Sequence, residues 1–323
     1  VHYHQSLKKG QNTANICIAR SLMRYIGERN ASKEDFYDPD EFLQRLFVYM
    51  TTTPNAETDP YQVQAHNDTY LDIYLRSFFT EASKGTALRN CAMTQRDQWS
   101  IGSLDGVAMC IPIIVAYADE PEAMVTGRAV EHHMLTHRSI TVTRVVTVLV
   151  PLLLDLYKGT DLREALDCAM EKLRPPKCTG RQQRDSYVHH RGPQNIPKHE
   201  KWLQHMLATD ESTKDFIHRM IAENTNDEDV CGWGDREDSR LSGACYCEQG
   251  FHAVLYLAYK YGPDDPKKAL LQNAMLGGHS TSRGAILGSI LGAAHGKDGI
   301  PFINDLAASD VIGKEIEALV DTV

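Results

Sequence analysis

The chain has 323 residues, of which 42% are hydrophobic and 24% charged, a balance that excludes a disordered chain and leaves room for one large domain or two ordinary ones. Its formal net charge of -9 excludes the broad basic footprint of a nucleic-acid binder. No apolar run reads as a membrane span of roughly 18 to 20 residues; the longest, 145–156, is interrupted by Thr147, Pro151 and Asp155.

Strand signals are scarce, and helical periodicity recurs along the chain. After Gly10-Gln11-Asn12, the residues Ile16, Ala19, Leu22, Met23 and Ile26 form one face, with Asn12 or Thr13 as N-cap. Asp38-Pro39-Asp40-Glu41 opens a second helix that turns Phe42, Leu46, Phe47 and Met50 inward. A third is predicted over 70–84, with Leu71, Tyr74, Leu75 and Phe78 on one face and Gly85 as its stop. Residues 101–118 form an apolar segment that buries Asp105 by pattern. Helices over 121–135 and 140–156 follow, separated by the polar turn Thr136-His137-Arg138-Ser139, and Asp161 starts an amphipathic helix over 161–173.

Residues 174–199 carry Pro175, Pro176, Pro193 and Pro197 among Arg, Gln and His, and read as a surface insertion. The helical pattern resumes at 200. The stretch 224–243 is acidic and reads as a loop, 243–261 is strongly apolar, 264–273 is another helix, and 304–320 closes the chain. The expected fold is therefore all-α, one compact multi-helix domain over 1–323. The chain begins at Val1 with no signal-peptide pattern, so it reads as a piece whose natural start lies upstream. Eight cysteines with no paired CxxC point to reduced thiols in a cytoplasmic protein rather than to structural zinc; Cys17, Cys110 and Cys168 fall in helical patterns as small apolar residues.

Polar residues gather at helix starts. The most informative stretch, 274–296, opens with Gly277 and Gly278, continues with His279, Ser280, Thr281 and Ser282, and runs into a helix carrying Gly284, Ala285, Gly288, Ser289, Gly292 and Ala293. Glycine inside a helix costs roughly 1 kcal/mol against alanine, so the pattern needs a reason. Two readings are compatible: close packing of the helix, and a helix N-terminus laid against an anionic ligand. Further candidates are Gly10-Gln11-Asn12-Thr13, the run His66-Asn67-Asp68-Thr69-Tyr70, the segment Leu104-Asp105-Gly106-Val107-Ala108-Met109, and Thr136-His137. Each has a structural reading beside the functional one: Asn12 and Asp68 as caps, Asp105 as a buried acid with a structural donor, His137 as a surface or capping histidine.

The 274–296 stretch resembles the last signature of the ADP-ribosylglycohydrolase superfamily, Gly-Gly-Asp-Thr-Asp-Thr before a small-residue helix. Its Arg283-Gly284-Ala285 with Gly288 and Gly292 is closer to the branch of the J-type crystallins and selenoprotein J. Gly10-Gln11-Asn12-Thr13 resembles the Thr-Asp-Asp-Thr signature, Asp68-Thr69-Tyr70 the branch's Asp-Thr-Tyr, 105–109 the family's Asn-Gly-Ala-x-Met, and Thr136-His137 its Thr-His turn. The resemblance implies an all-α fold with a central cleft and hydrolysis of an ADP-ribose glycosidic bond with two divalent cations, usually Mg2+. Asp68 and Asp105 are the candidate catalytic acids, Asp105 standing where the family has asparagine. The resemblance assigns Asn12, Thr13, His66, Asn67, Tyr70, Gly106, Met109, Thr136, His137, Gly277, Gly278, Ser280, Ser282 and Arg283 to the substrate. It places the metal positions at Gln11, Asn12, His279 and Thr281, where the family's acids have been replaced; an amide supplies a hard cation with an oxygen but no charge.

The expectation is a divergent member that binds or hydrolyses ADP-ribose or an ADP-ribosylated substrate, without nucleic acid or membrane as a partner. The alternative is a non-catalytic protein, either crystallin-like and structural or nucleotide-binding. A zinc amidohydrolase built on His133 and His137, four residues apart, is a distant third.

Overall fold

A computed structural model describes residues 4–31, 37–51, 70–92, 102–173, 211–231, 241 and 246–320. The expected all-α fold is what it shows: among these residues the only β pairing is an isolated bridge between Ser103 and Tyr246. The contacts divide the chain into two compact units. The first comprises Val1–Thr94, Asp105–Arg138 and Pro301–Val323, the second Gln95–Leu104 and Ser139–Ile300. The segment 174–199 lies outside the described residues.

In the first unit, α1 (Ala14–Ala31), α2 (Pro39–Thr51), α3 (Ile73–Ser83), α4 (Leu104–Ala108, shared with the second unit at Leu104), α5 (Ile111–Ala116), α6 (Glu122–Met134) and α14 (Ser309–Val320) are the helices. Helix α1 packs on α14 and α5, and it buries Cys17, Ile18, Ala19, Leu22, Tyr25 and Ile26. The two long helices come close at Gly27, where a Cβ would stand 2.9 Å from that of Ala318. A buried ion-pair network fixes their register. Arg20 Nε donates to Glu315 Oε2 at 2.7 Å, and Arg24 Nη1 to Glu315 Oε1 at 2.9 Å. Breaking such a network from one side leaves a buried charge unmatched, so it fixes the α1–α14 pairing firmly.

The second unit is built from α7 (Ile140–Tyr157), α8 (Leu162–Lys172), α9 (Thr213–Ala222), α10 (Asp227–Cys231), α11 (Cys247–Tyr261), α12 (Pro266–Met275) and α13 (Ser280–His295). Helix α11 is its centre, touching α7, α8, α9, α12 and α13 and burying Phe251 and the whole of 253–258. Helix α7 corrects the reading of its run as interrupted. Thr147, Pro151 and Asp155 all stay inside one continuous helix of 18 residues with a mean hydropathy of 1.8, long and apolar enough by that measure to cross a membrane. Of its residues 67% are buried within the protein, and it packs on α8, α11 and α13, which is how a core helix reads.

Other boundaries shift for local reasons. The third helix starts at Ile73 rather than at 70, because Asp72 caps it. The apolar segment 101–118 becomes two short helices. The acidic stretch 224–243 contains α10, which buries Asp227, Val230 and Cys231. Cys17 and Cys110 are core residues as expected, but Cys168 is exposed: it lies off the buried face of α8, which is Leu162, Ala165, Leu166, Ala169 and Met170.

Candidate functional site

The first unit places its candidates around two helix starts. At α1, Gly10 has φ +83°, and a Cβ there would meet the Asp305 carbonyl oxygen at 2.7 Å, so only glycine fits. Its own carbonyl accepts the Ala307 N–H at 2.9 Å. Gln11 closes a local turn, its side-chain oxygen accepting the Lys8 N–H at 2.8 Å. The Thr13 carbonyl accepts the Cys17 N–H at 2.9 Å, which makes Thr13 the N-cap position. Its hydroxyl does not perform the cap. Thr13 Oγ1 and Asn15 Oδ1 are both buried, and neither has a hydrogen-bond partner.

At α3 a residue that the sequence reading passed over proves central. Asp72 is buried, and its Oδ1 accepts the N–H groups of Tyr74 at 2.7 Å and Leu75 at 3.0 Å. Its Oδ2 lies 2.9 Å from His137 Nε2. A carboxylate accepts only, so Nε2 carries the proton. Nδ1 lies 2.8 Å from the Thr136 hydroxyl. Tyr74 stacks on the imidazole with centroids 5.0 Å apart, and a Cβ on Gly106 would come within 2.8 Å of His137 Cγ. Thr136, His137, Gly106 and Asp72 therefore form one buried cluster, with His137 fully buried rather than at the surface. Asp72 could have been found from sequence as an N-cap candidate; Asp68, four residues earlier in a similar setting, drew the assignment instead.

The zinc reading of His133 and His137 is overturned by geometry. Both nitrogens of His137 are committed, and His133 Nδ1 donates to the His137 carbonyl at 2.9 Å. Burial pushes His133 down to about 4 and its neighbour His132 to about 3, so both are neutral. His132 Nδ1 bonds the Tyr37 hydroxyl at 2.8 Å. Asp105 is fully buried at the start of α4 and is bonded within the protein, and Met109 is buried behind it. Tyr70 is partly buried with its ring edge on His4. His66, Asn67 and Asp68 lie outside the described residues.

The second unit holds the glycine turn between α12 and α13. Gly277 and Gly278 have φ +66° and +64°, a left-handed pair that side-chain-bearing residues rarely adopt. Gly278 and Thr281 are exposed, and Gly277, His279 and Ser280 partly so. His279 is the N-cap residue but makes no side-chain cap; its Nε2 lies 3.1 Å from the Ser282 hydroxyl instead. Beneath the turn sits Arg283, fully buried. Its Nε donates to Asn273 Oδ1 at 3.0 Å and its Nη2 to the Gly277 carbonyl at 2.6 Å. Asn273 Nδ2 in turn donates to the Ser280 carbonyl at 2.8 Å. Arg283 and Ser282 thus face inward and hold the turn from below. Of the small residues in α13, Gly284 is approached closely, 3.1 Å from Asn273 Nδ2, whereas nothing stands within 4 Å of a Cβ at Gly288. Tight packing therefore accounts for Gly284 but not for Gly288.

A second buried carboxylate supports this region. Asp227 accepts from Tyr256 Oη at 2.7 Å, Lys260 Nζ and Tyr261 Oη at 2.6 Å each, and Gln272 Nε2 at 2.9 Å. Burial alone would raise its carboxyl, but these donors outweigh burial and hold it below its ordinary value. The cluster ties α10, α11 and α12 together just before the glycine turn.

The expected metal positions offer an amide at Gln11 that is already used, an amide at Asn12, an imidazole at His279 and an exposed hydroxyl at Thr281. Hard divalent cations want carboxylate oxygens, and this donor set has none. No group of three or more His, Cys, Asp or Glu able to hold a metal occurs among the described residues. These residues do not fit a pair of magnesium ions.

The described residues define a strand-free helical protein whose polar side chains collect at glycine-marked helix starts. A model of the ADP-ribosylglycohydrolase family matches residues 7–323, and the chain belongs to that family. A comparison with curated proteins finds no match.

Proposed function

We propose that this chain binds an ADP-ribose-type ligand without magnesium, and that hydrolysis of the glycosidic bond is weak or absent. Family membership supports an ADP-ribosyl hydrolase-like protein in general; the finer reading rests on the residues. The observation that carries it is the start of α13. There a left-handed glycine pair, held by the buried Arg283, opens a 16-residue helix whose N-terminus receives no side-chain cap. Uncapped N–H groups and the helix dipole form a ready seat for a pyrophosphate. The exposed Thr281 and partly exposed Ser280 add hydroxyls to the same turn. The replaced acids favour binding over metal-assisted catalysis, and with it the branch of the family that includes the J-type crystallins.

Calorimetric titration with ADP-ribose, in magnesium and in EDTA, tests this. The expected result is the same binding heat in both. Heat only in magnesium would restore the metal-dependent hydrolase. No heat and no thermal shift in either would leave a structural, crystallin-like role.

A further inference from the structure

Large apolar side chains left in water are scattered over this protein, with one exception. Among the described residues, Val48, Ile73, Met124 and Val320 fall one to a helix, on α2, α3, α6 and α14, and Ile140 and Tyr157 stand at opposite ends of α7. Single exposed residues of this kind are ordinary. Helix α12 differs. It buries Ala269 and Asn273 against its own unit, while Leu271 is 47% exposed and Met275 80%, four residues apart and so on one face, with the exposed Ala274 beside them. One turn before Leu271 the same face carries the exposed Lys267 and Lys268. The charges of α12 are reversed against its dipole. Its two lysines stand in the first turn, at the positive end, and its last turn, whose carbonyls a cation would stabilise, holds no basic residue. Lys268 turns its Nζ back over the Tyr261 ring, 4.7 Å from the centroid, so Lys267 is the cation that the face presents.

We propose that this face pairs with the same face of a second copy of the chain, the two α12 helices lying antiparallel about a two-fold axis at Leu271. Such a contact is its own complement. Leu271 meets Leu271 of the second copy. Lys267 and Met275 lie four residues to either side, so each lysine meets the other copy's methionine. The lysine stem packs on the thioether, and the ammonium reaches the negative end of the opposing helix, which its own helix denies it. The two Lys267 side chains stand about 12 Å apart along the axis, eight residues at 1.5 Å each, so at physiological salt their repulsion is largely screened. A parallel pair would set lysine against lysine. An acidic protein or an anionic lipid surface would also answer Lys267; a second copy is favoured because the apolar pair and the reversed charge share one face at the spacing that makes it fit itself. Two helices of 10 residues bury less than the ~1,000 Å² of a stable interface, so the dimer is weak, with a dissociation constant of roughly 10 to 100 μM.

The test is sedimentation velocity of the whole chain from about 1 to 300 μM, a span that brackets that constant, for wild type, Leu271→Glu, Met275→Glu, Lys267→Glu and the control Arg144→Glu, an exposed charge reversal on α7. Thermal melting at the lowest concentration checks that each variant folds. The expected result is a monomer–dimer equilibrium in wild type and in Arg144→Glu. Leu271→Glu and Met275→Glu weaken it at least tenfold. Lys267→Glu weakens it at least threefold yet melts no lower than wild type as a monomer, since an acid in the first turn suits its own helix; a folding defect would not separate the two readouts. A wild type that stays monomeric throughout would overturn the proposal. If that monomer co-sediments with phosphatidylserine vesicles and Leu271→Glu does not, the face belongs to a lipid surface instead. A dimer that all three α12 substitutions leave unchanged would place the contact elsewhere and overturn it as well.

Discussion

The two helix starts that carry the family signatures are built on opposite principles. At α13 the turn is open: Gly278 is exposed, a Cβ on Gly277 would meet nothing, and the order comes from Arg283 buried underneath. At α1 the turn is closed: Gly10 is pressed against the Asp305–Ala307 backbone, and the Thr13 hydroxyl and the Asn15 side-chain oxygen are buried without partners. An open start with an uncapped helix suits an anion that arrives with its own solvent shell.

The largest effect is expected where the open turn depends on one buried charge. Arg283→Leu strands the Gly277 carbonyl and the side-chain and main-chain oxygens of Asn273, at a cost of about 4 kcal/mol or more. Arg283→Lys loses the forked geometry and recovers only part of that. Denaturant unfolding gives the stability and ADP-ribose titration the function; if Arg283→Leu unfolds at the wild-type midpoint, Arg283 is not what holds the turn.

Acid separates the two units. His132 and His133 in the first unit are held at about 3 and about 4 by burial, against about 6.5 in an unfolded chain. Between those values the unfolded chain takes up protons that the folded chain refuses. Their contribution is therefore complete above pH 6.5 and is lost as the pH falls toward 4, by about 2 kcal/mol per histidine at pH 5. Asp227 in the second unit behaves differently. Its lowered carboxyl adds stability that is present above the unfolded value of about 3.9 and lost only as the pH falls through the folded value below it. Melting at pH 7 and pH 5 should show a drop that His132→Gln makes roughly half as steep. Equal slopes in the two proteins would mean that His132 is protonated in the fold.

The fold was legible in the sequence because helix periodicity and caps are local. Asp161, Asp265 and Ser139 cap α8, α12 and α7 where the pattern changes. The site was legible only in part. The glycine pair marked a place where the backbone departs from ordinary geometry, and the structure shows a left-handed turn there. Asp72 was missed because pairing an acid with a histidine 65 residues away is a tertiary fact. Arg283 was assigned to a ligand because the sequence shows its charge but not its direction. The orphaned oxygens of Thr13 and Asn15 carry no local signal, since an N-terminal threonine ordinarily caps its helix.

Single glycine substitutions sharpen the contrast further. Gly10→Ala meets both a positive φ and a carbonyl oxygen at 2.7 Å, and should cost about 3 kcal/mol. Gly277→Ala meets only the positive φ of +66° with open space around it, and should cost about 1 to 2 kcal/mol. Melting temperatures in the reverse order would show that α1, not α13, has the adaptable turn.

The smallest effect comes from returning acids to the closed start. Gln11→Asp with Asn12→Asp places carboxylates before the N-terminus of an 18-residue helix, where each adds about 0.3 to 1 kcal/mol at low salt and less at high salt. Aspartate at position 11 still offers an oxygen to the Lys8 N–H that Gln11 now accepts. The double variant should therefore fold at least as well as wild type, and it should gain a magnesium-dependent rise in melting temperature that wild type lacks. A wild-type protein that already melts higher in magnesium would break the comparison at its base, because cation binding would then not depend on carboxylates at positions 11 and 12.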